Sequence, residues 1–425
     1  MEALTIKVFT LGCKVNQCES ASLVAALKAA SYNASEGLEP ADVYILNTCS
    51  VTAEADKKSR QCIARMRRLN SDCKIIVIGC SSQNSPDKFD KPNVYAVGGT
   101  SNKTDFVLKT IENICNNTIS DRILYDNRIE NIDKLREYCY EPYPETNKTR
   151  AFVKIQDGCN RFCTYCIIPY LRGRSRSRKI DDIVKECKQI KSKEIVLTGI
   201  DMSSYGKDIG EDFTGLLNAL GDISARKRLG SVECEVIDER VLDAMVKGNY
   251  CPHFHLSLQS GSEAVLRSMN RHYDCEYFYG KIRLIREYFP LAGITTDVIV
   301  GFPTESDENF AESCDFIEKC FFSDIHVFPY SSREGTIAAK KYSPLDAEIV
   351  KKRVSALRDI KSKLHSSFIE NNIGLTAPVY IEDFENGFNV GYTPNYIKVY
   401  SDSECGSIVD LKLKARFKDG VLGVL

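Results

Sequence analysis

Phe152-Val-Lys-Ile-Gln-Asp-Gly-Cys159-Asn-Arg-Phe-Cys163-Thr-Tyr-Cys166 joins a run of strand character to three cysteines on one short loop. The spacing, C-x3-C-x2-C, lets three thiolates take three corners of an iron–sulfur cube and leaves the fourth iron open. Zinc is the alternative, but a structural zinc site closes with a fourth Cys or His, and the next histidine along the chain is His253. Five further strand-like stretches follow: Glu194–Gly199, Ser231–Val236, His253–Leu258, Thr295–Val300 and Asp324–Phe328, with helical patterns between most of them. Six βα units fall short of the eight that close a barrel of roughly 250 residues, so an open, partial (βα)6 barrel is expected over 148–366, with its ligand site at the strand carboxyl ends.

Upstream, residues 1–120 also alternate strand and helix. Thr5–Leu11, Val43–Asn47 and Lys74–Ile78 read as strands, Ala21–Ala30 and Glu54–Leu69 as helices. Short connections of this kind predict an α/β domain with a doubly wound parallel sheet. Each strand ends near a cysteine (Cys13, Cys49 and Cys80), and open α/β sheets bind ligands outside the carboxyl ends of their strands. The Pro-broken stretch Tyr140-Glu-Pro-Tyr-Pro-Glu-Thr marks a linker, taken as 121–147. Past the barrel, a charged helix from Leu345 to about Asn371 gives way to five short strand patterns, which predict a small all-β barrel over 367–425.

Hydrophobic content of 43% and charged content of 27% are those of an ordinary globular chain, and the net charge of −1 argues neither for nor against nucleic acid. No basic and apolar leader precedes Thr5, and the longest apolar runs are strand-sized, far short of the ~20 residues of a membrane helix. A cytoplasmic chain with no membrane partner is therefore expected. In a reducing compartment, eighteen cysteines are not a disulfide framework, and the clustered ones favour metal or cluster binding.

Charge is distributed unevenly. At roughly 100° per residue, Lys57, Lys58, Arg60, Arg65, Arg67 and Arg68 fall within one half of the second helix, with Cys62, Ile63, Met66 and Leu69 on the other. From Lys148 to Lys179, nine Lys/Arg stand against one acid, Asp157, right beside the cysteine loop. Two basic patches flanking one site suit a phosphate-backbone partner. Lys57, Arg60, Arg65, Arg68, Arg172 and Arg174 are the candidate RNA contacts, with Lys398 in the C-terminal barrel.

The cysteine loop at the mouth of a partial barrel resembles the radical S-adenosylmethionine superfamily. Thr10-Leu-Gly-Cys-Lys-Val-Asn-Gln, Asn47-Thr-Cys-Ser-Val-Thr and Gly79-Cys-Ser-Ser-Gln look like the three cysteine motifs of its methylthiotransferases. Ile167-Ile-Pro-Tyr-Leu-Arg-Gly-Arg-Ser-Arg-Ser-Arg, Leu197-Thr-Gly-Ile-Asp-Met-Ser-Ser-Tyr-Gly, His255-Leu-Ser-Leu-Gln-Ser-Gly-Ser, Asp297-Val-Ile-Val-Gly-Phe-Pro-Thr-Glu and Phe328-Pro-Tyr-Ser-Ser-Arg-Glu-Gly-Thr extend the resemblance along the chain. It implies two [4Fe–4S] clusters, one on Cys159, Cys163 and Cys166 and an auxiliary one on Cys13, Cys49 and Cys80. S-adenosyl-L-methionine would be held at the open iron and cleaved to a radical by one electron from a donor such as flavodoxin or ferredoxin. The C-terminal barrel resembles the RNA-binding TRAM domain, although residues 366–425 carry eight acids and five bases. Its bases are Lys398, Lys412, Lys414, Arg416 and Lys418, with the aromatics Tyr392, Tyr396 and Tyr400.

Less specific expectations attach to the barrel's strand ends. Thr198 and Gly199 stand where the superfamily meets the methionine amino group. Asp201, Gln259, Ser260, Arg271 and Arg333 are polar groups able to fix the cofactor's carboxylate or ribose, and Gly301 could let adenine approach the backbone. Val390-Gly-Tyr-Thr-Pro-Asn-Tyr-Ile-Lys-Val resembles the branch that methylthiolates C2 of N6-threonylcarbamoyladenosine in the tRNA anticodon loop. Two sister branches, acting on N6-isopentenyladenosine or on a ribosomal-protein aspartate, are the alternatives. A non-catalytic iron–sulfur carrier would need neither the Gly-rich strand ends nor an RNA-binding barrel. Nothing in the sequence signals an obligate protein partner.

Overall fold

A computed structural model describes residues 4–116, 132–136, 138 and 149–425, so most of the expected linker lies outside the described residues. The N-terminal strands are β1 (Thr5–Thr10), β2 (Asn33–Glu36), β3 (Val43–Thr48), β4 (Lys74–Gly79) and β5 (Val94–Val97). They pair in parallel in the order β2-β1-β3-β4-β5. Helix α1 (Lys14–Ala29) and helix α4 (Lys103–Asn116) cover one face, packing Leu23, Leu27, Phe106 and Ile111 on Ile6, Val8, Ile45 and Ile76. Helix α2 (Ala53–Leu69) sets Ile63 and Met66 against Tyr44, Leu46, Ile75 and Val77 on the other face; a short helix α3 (Cys80–Asn84) follows β4. The winding therefore reverses between β1 and β3, and a crevice opens at the carboxyl ends of those two strands. Cys13 and Cys49 are placed there by the chain itself.

Two strands of this sheet, β2 and β5, went unread in the sequence. Both are only four residues long, and β2 (Asn-Ala-Ser-Glu) has no apolar alternation. Helix α1 begins at Lys14 rather than near Ala21, because its polar first turns are buried, Asn16 and Glu19 against Arg172 of the next domain and Ser20 against Asn47, which amphipathic patterning cannot anticipate.

The barrel strands are β6 (Arg150–Lys154), β7 (Glu194–Thr198), β8 (Arg226–Leu229, continued by Ser231–Val232), β9 (His253–Gln259), β10 (Gly293–Val300) and β11 (Asp324–Pro329). They form a three-stranded and a four-stranded parallel sheet joined through β8, and among the described residues β6 and β11 are left as edges. The third strand starts at Arg226, ahead of the expected Ser231, and residues 234–236 turn into a 3-10 helix; the sequence Arg-Lys-Arg hid a strand whose two arginines pair with Glu194 and whose lysine donates to the Ile223 carbonyl. Alternate residues such as Val153, Leu197, Leu256, Val298 and Ile325 join the large apolar core under the helices. The opposite, concave face carries Arg150, Glu194, Arg228, His255, Asp297 and His326. A closed barrel fills its interior with apolar layers; this one keeps charges there, which is the lining of a polar chamber.

The C-terminal strands β12 (Thr376–Glu385), β13 (Phe388–Tyr392), β14 (Lys398–Ser401), β15 (Ile408–Phe417) and β16 (Gly420–Val424) close into a small barrel. It docks on the N-terminal ends of the large barrel's strands. Arg150 pairs with Glu382 at 2.6 Å, Arg228 donates to the Pro394 carbonyl at 2.9 Å, and the His253 and Tyr396 rings stack at 4.5 Å. Among the described residues, no helix is long and apolar enough to cross a membrane.

Candidate functional site

Cys159, Cys163 and Cys166 sit on the loop between β6 and helix α5 (Ile168–Arg172). Gly158 makes the turn with φ +72°; a Cβ there would meet the Arg174 carbonyl oxygen at 2.0 Å, so only glycine fits. Backbone bonds from Thr164 to the Met269 oxygen (3.0 Å) and from Cys166 to the Cys163 oxygen (2.9 Å) hold the three thiols in a fixed arrangement. Gln156 locks the loop to the next strand end: its Oε1 accepts from the amides of Ile200 and Asp201, and its Nε2 donates to the carbonyls of Asp157 and Gly158. Arg271 donates to Cys163 Sγ at 3.4 Å, and the Arg161 amide to Cys159 Sγ at 3.4 Å. Burial pushes the Cys166 thiol up to about 12 and raises Cys159 further.

Cys13, Cys49 and Cys80 converge at the end of the other sheet. Gly12, at φ +105°, leaves no Cβ where the Cys49 side chain passes. Burial lifts the Cys49 thiol to about 11, and raises Cys80 against the opposing pull of Arg172. Cys13 is exposed, whereas Cys49 and Cys80 are buried. Cys80 packs on Ile167 and Leu171, directly after Cys166, so the two triads lie on either side of one short stretch of chain.

A buried ion network fixes this juxtaposition. Glu19 of α1 pairs with Lys103 (2.5 Å), Lys154 (2.7 Å) and Arg172 (2.7 Å), and Asp157 with Lys154 (3.0 Å), Arg172 (3.1 Å) and Arg176 (3.5 Å). Four cations face two carboxylates, and all six are at least nine-tenths buried. The surplus positive charge lies next to Cys80 and complements thiolates there.

The cysteines suit clusters better than single ions. Three thiolates on one zinc at 2.3 Å would lie about 3.8 Å apart. Among the described residues, only His255, Asp297 and His326 bring three ligand atoms within 4.8 Å of one another; neither cysteine triad does. Each triad has three thiols and, among the described residues, no fourth Cys or His beside them, the donor set of a cube with one open iron.

The other expected residues divide. Asp201 reaches the loop: it accepts from Arg161 (3.2 Å) and Ser204 (2.7 Å), lies 3.9 Å from Cys159 Sγ, and keeps one buried oxygen without a partner. Arg271 stays with the cysteines and is also tied to Glu233. Thr198 and Gly199 end β7 beside Gln156 and Met202. Gln259 ends β9 with φ +71°. Three others make contacts within the protein. Ser260 is fully buried and its hydroxyl accepts from the Ser262 amide, a turn contact. Gly301 has φ +76°, and a Cβ there would press into Val350 of the helix of residues 347–370 at 2.5 Å. Arg333 bonds Ser50 and Asp56, tying the Cys49 loop to the end of β11. Gln156, Arg161 and Glu233 were missed; their strand-end positions beside the motif were the available signal.

On the basic surfaces, Lys57, Arg65 and Arg68 are exposed, Arg60 is half-buried, and Ile63 and Met66 are buried as the helical wheel requires. Arg174 is exposed and lies over the Phe162 ring at 4.7 Å. Arg172 is 1% exposed, inside the ion network. Lys398 is largely committed to Glu385 and Asp419. Tyr392 and Tyr396 stack on each other under Arg150 in the domain interface, and Tyr400 is buried. Lys412, Lys414, Arg416 and Lys418 remain exposed.

Comparison with known proteins agrees with this arrangement. Residues 153–317 match the model of the Radical SAM superfamily, and residues 5–98 that of Uncharacterized protein family UPF0004. The threonylcarbamoyladenosine tRNA methylthiotransferase MtaB of Bacillus subtilis is 38% identical, over 96% of this chain and 93% of that protein. The tRNA-2-methylthio-N(6)-dimethylallyladenosine synthase of Thermodesulfovibrio yellowstonii is 32% identical over 100% of this chain and 99% of its own. In fold, the chain is similar to the radical S-adenosylmethionine methyltransferase TsrM from Kitasatospora setae, with a TM-score of 0.59 at 12% identity, covering 79% of this chain and 77% of that one. With a cysteine triad on each sheet, brought together across one interface, and relatives matched along nearly their whole length, the chain belongs to the radical S-adenosylmethionine methylthiotransferase family.

Proposed function

We propose that the chain adds a methylthio group to C2 of N6-threonylcarbamoyladenosine, the adenosine just 3′ of the tRNA anticodon. The observation that carries this reading is the near-full-length similarity to the threonylcarbamoyladenosine enzymes, joined to a second triad whose Cys13 is exposed beside the first. Cys159, Cys163 and Cys166 would hold a [4Fe–4S] cluster with an open iron for S-adenosylmethionine, and Cys13, Cys49 and Cys80 an auxiliary cluster. Bound there, the cofactor supplies a radical strong enough to take hydrogen from an unactivated carbon. The protein's part is placement: Gln156 and Gly158 shape the first loop, Arg271 and the Arg161 amide bond its sulfurs, and the Glu19 network holds the second triad against it. The exposed bases of α2 and Arg174 would lead the tRNA backbone to the open side. The setting is the cytoplasm, with flavodoxin or ferredoxin as electron donor. Nucleoside mass analysis of tRNA from a deletion strain tests the substrate. Loss of the methylthio group from threonylcarbamoyladenosine alone is expected; its loss from dimethylallyladenosine would transfer the chain to the sister activity.

A further inference from the structure

Lys14 directly follows Cys13 at the start of α1, the helix that packs along β6, and its side chain is exposed to solvent. Its charge lies among Arg150, Arg228, Glu194 and Tyr396, and reaches His253, the lowest residue of β9 on the concave face. The arginines there are already engaged: Arg150 with Glu194 and Glu382, Arg228 with Glu194. Lys14 makes no hydrogen bond or ion pair with any described residue. One Arg150 nitrogen and both His253 ring nitrogens are buried without a partner. The His255, Asp297 and His326 group one pleat higher does not call for a metal ion, because His255 is bonded to both Thr295 (2.8 Å) and Asp297 (3.2 Å).

An unpaired, solvent-facing ammonium with two arginines beside it is a site for an anion. On the reading of the substrate given above, one anion must enter: the carboxylate of the threonylcarbamoyl group on N6. Adenine carries N6 and C2 on the same edge, so a group meeting the N6 chain must stand close to the group that serves C2. Neighbouring residues, with Cα atoms ~3.8 Å apart, satisfy that requirement. We propose that Lys14 pairs with the threonyl carboxylate of the substrate and sets the preference for threonylcarbamoyladenosine over N6-alkyl adenosines.

The test compares reconstituted wild-type and Lys14→Gln enzymes on anticodon-stem-loop RNAs bearing the threonyl acid, its carboxamide, or isopentenyladenosine. Iron content and the paramagnetic spectrum confirm that Cys13 still holds its cluster, and Lys14→Arg tests for rescue by charge. For the wild type, kcat/KM should fall about 10- to 100-fold from acid to carboxamide, the loss expected for a hydrogen bond to a charged group. Lys14→Gln should show that loss on the acid, mainly in KM, and little further loss on the carboxamide. Equal loss on acid and carboxamide, or no loss on either, with clusters intact, overturns the proposal. Turnover of the isopentenyl RNA in preference to the acid by the wild type instead overturns the substrate reading on which it rests.

Discussion

Glu19→Gln removes one negative charge from the buried network and keeps the shape of the side chain. Lys154 and Arg172 then keep Asp157 as their carboxylate, whereas Lys103 is left with the Asn47 amide oxygen, in a site where Glu19 is only 4% exposed. Breaking a buried pair in this way costs about 3–5 kcal/mol. For domains of 150–250 residues, ~2–4 °C of Tm per kcal/mol converts this to a fall of about 6–20 °C. Calorimetry or circular dichroism at pH 7 reads it directly. The pH dependence supplies a second signature. The surrounding cations hold Glu19 and Asp157 well below the usual carboxylate range despite burial, so both folded-state values lie below the unfolded ones of about 4.3 and 3.9. Their stabilisation is thus present above about pH 5 and is lost as the pH falls toward the folded values. The variant's acid limb should be flatter than the wild type's. A Tm within 2 °C of wild type, the ~0–1 kcal/mol effect of an exposed pair, would refute the claim that this network joins the domains.

Charge reversal at Arg60, Arg65 and Arg68 should weaken binding of all tRNAs alike and flatten the salt dependence by up to about one unit of slope per lost contact. The fold should persist, since Ile63 and Met66 carry the packing; filter binding at several salt concentrations reads both. In the iron-free protein, alkylation should reach the exposed Cys13 first and the buried Cys49 and Cys166 slowly. The latter two, raised to about 11 and about 12, should speed up steadily as the pH is taken from 7 to 10, because only the thiolate reacts. Peptide mass mapping should reveal this order.

The two parallel sheets, the six barrel strands and the C-terminal barrel were legible because apolar runs bounded by turns mark buried parallel strands. So were both triads, because each cysteine sits at the end of such a run. The short edge strands β2 and β5 carry too few residues to show a period, and β8 opens on arginines whose partners, Glu194 and the Thr393 and Pro394 carbonyls, are distant in sequence. The same cause hid the roles of Arg172, Arg333 and Tyr396. Each looked like a surface or ligand group, and each is consumed in an interface between domains that no local pattern encodes. Lys14 was visible in Gly-Cys-Lys-Val-Asn, but its placement depends on α1 lying along β6.

The proposed chemistry needs two separate three-cysteine cluster sites with different tasks. Iron and 5′-deoxyadenosine are therefore to be measured together on anaerobically reconstituted wild type and on the two triple Ala variants, with the methylthiolated nucleoside scored in the same reactions. The wild type should hold about eight irons and each variant about four. Replacing Cys159, Cys163 and Cys166 should abolish 5′-deoxyadenosine. Replacing Cys13, Cys49 and Cys80 should leave it forming without any methylthiolated product. Cofactor cleavage that survives loss of the first triad, or full product yield without the second, would contradict the account.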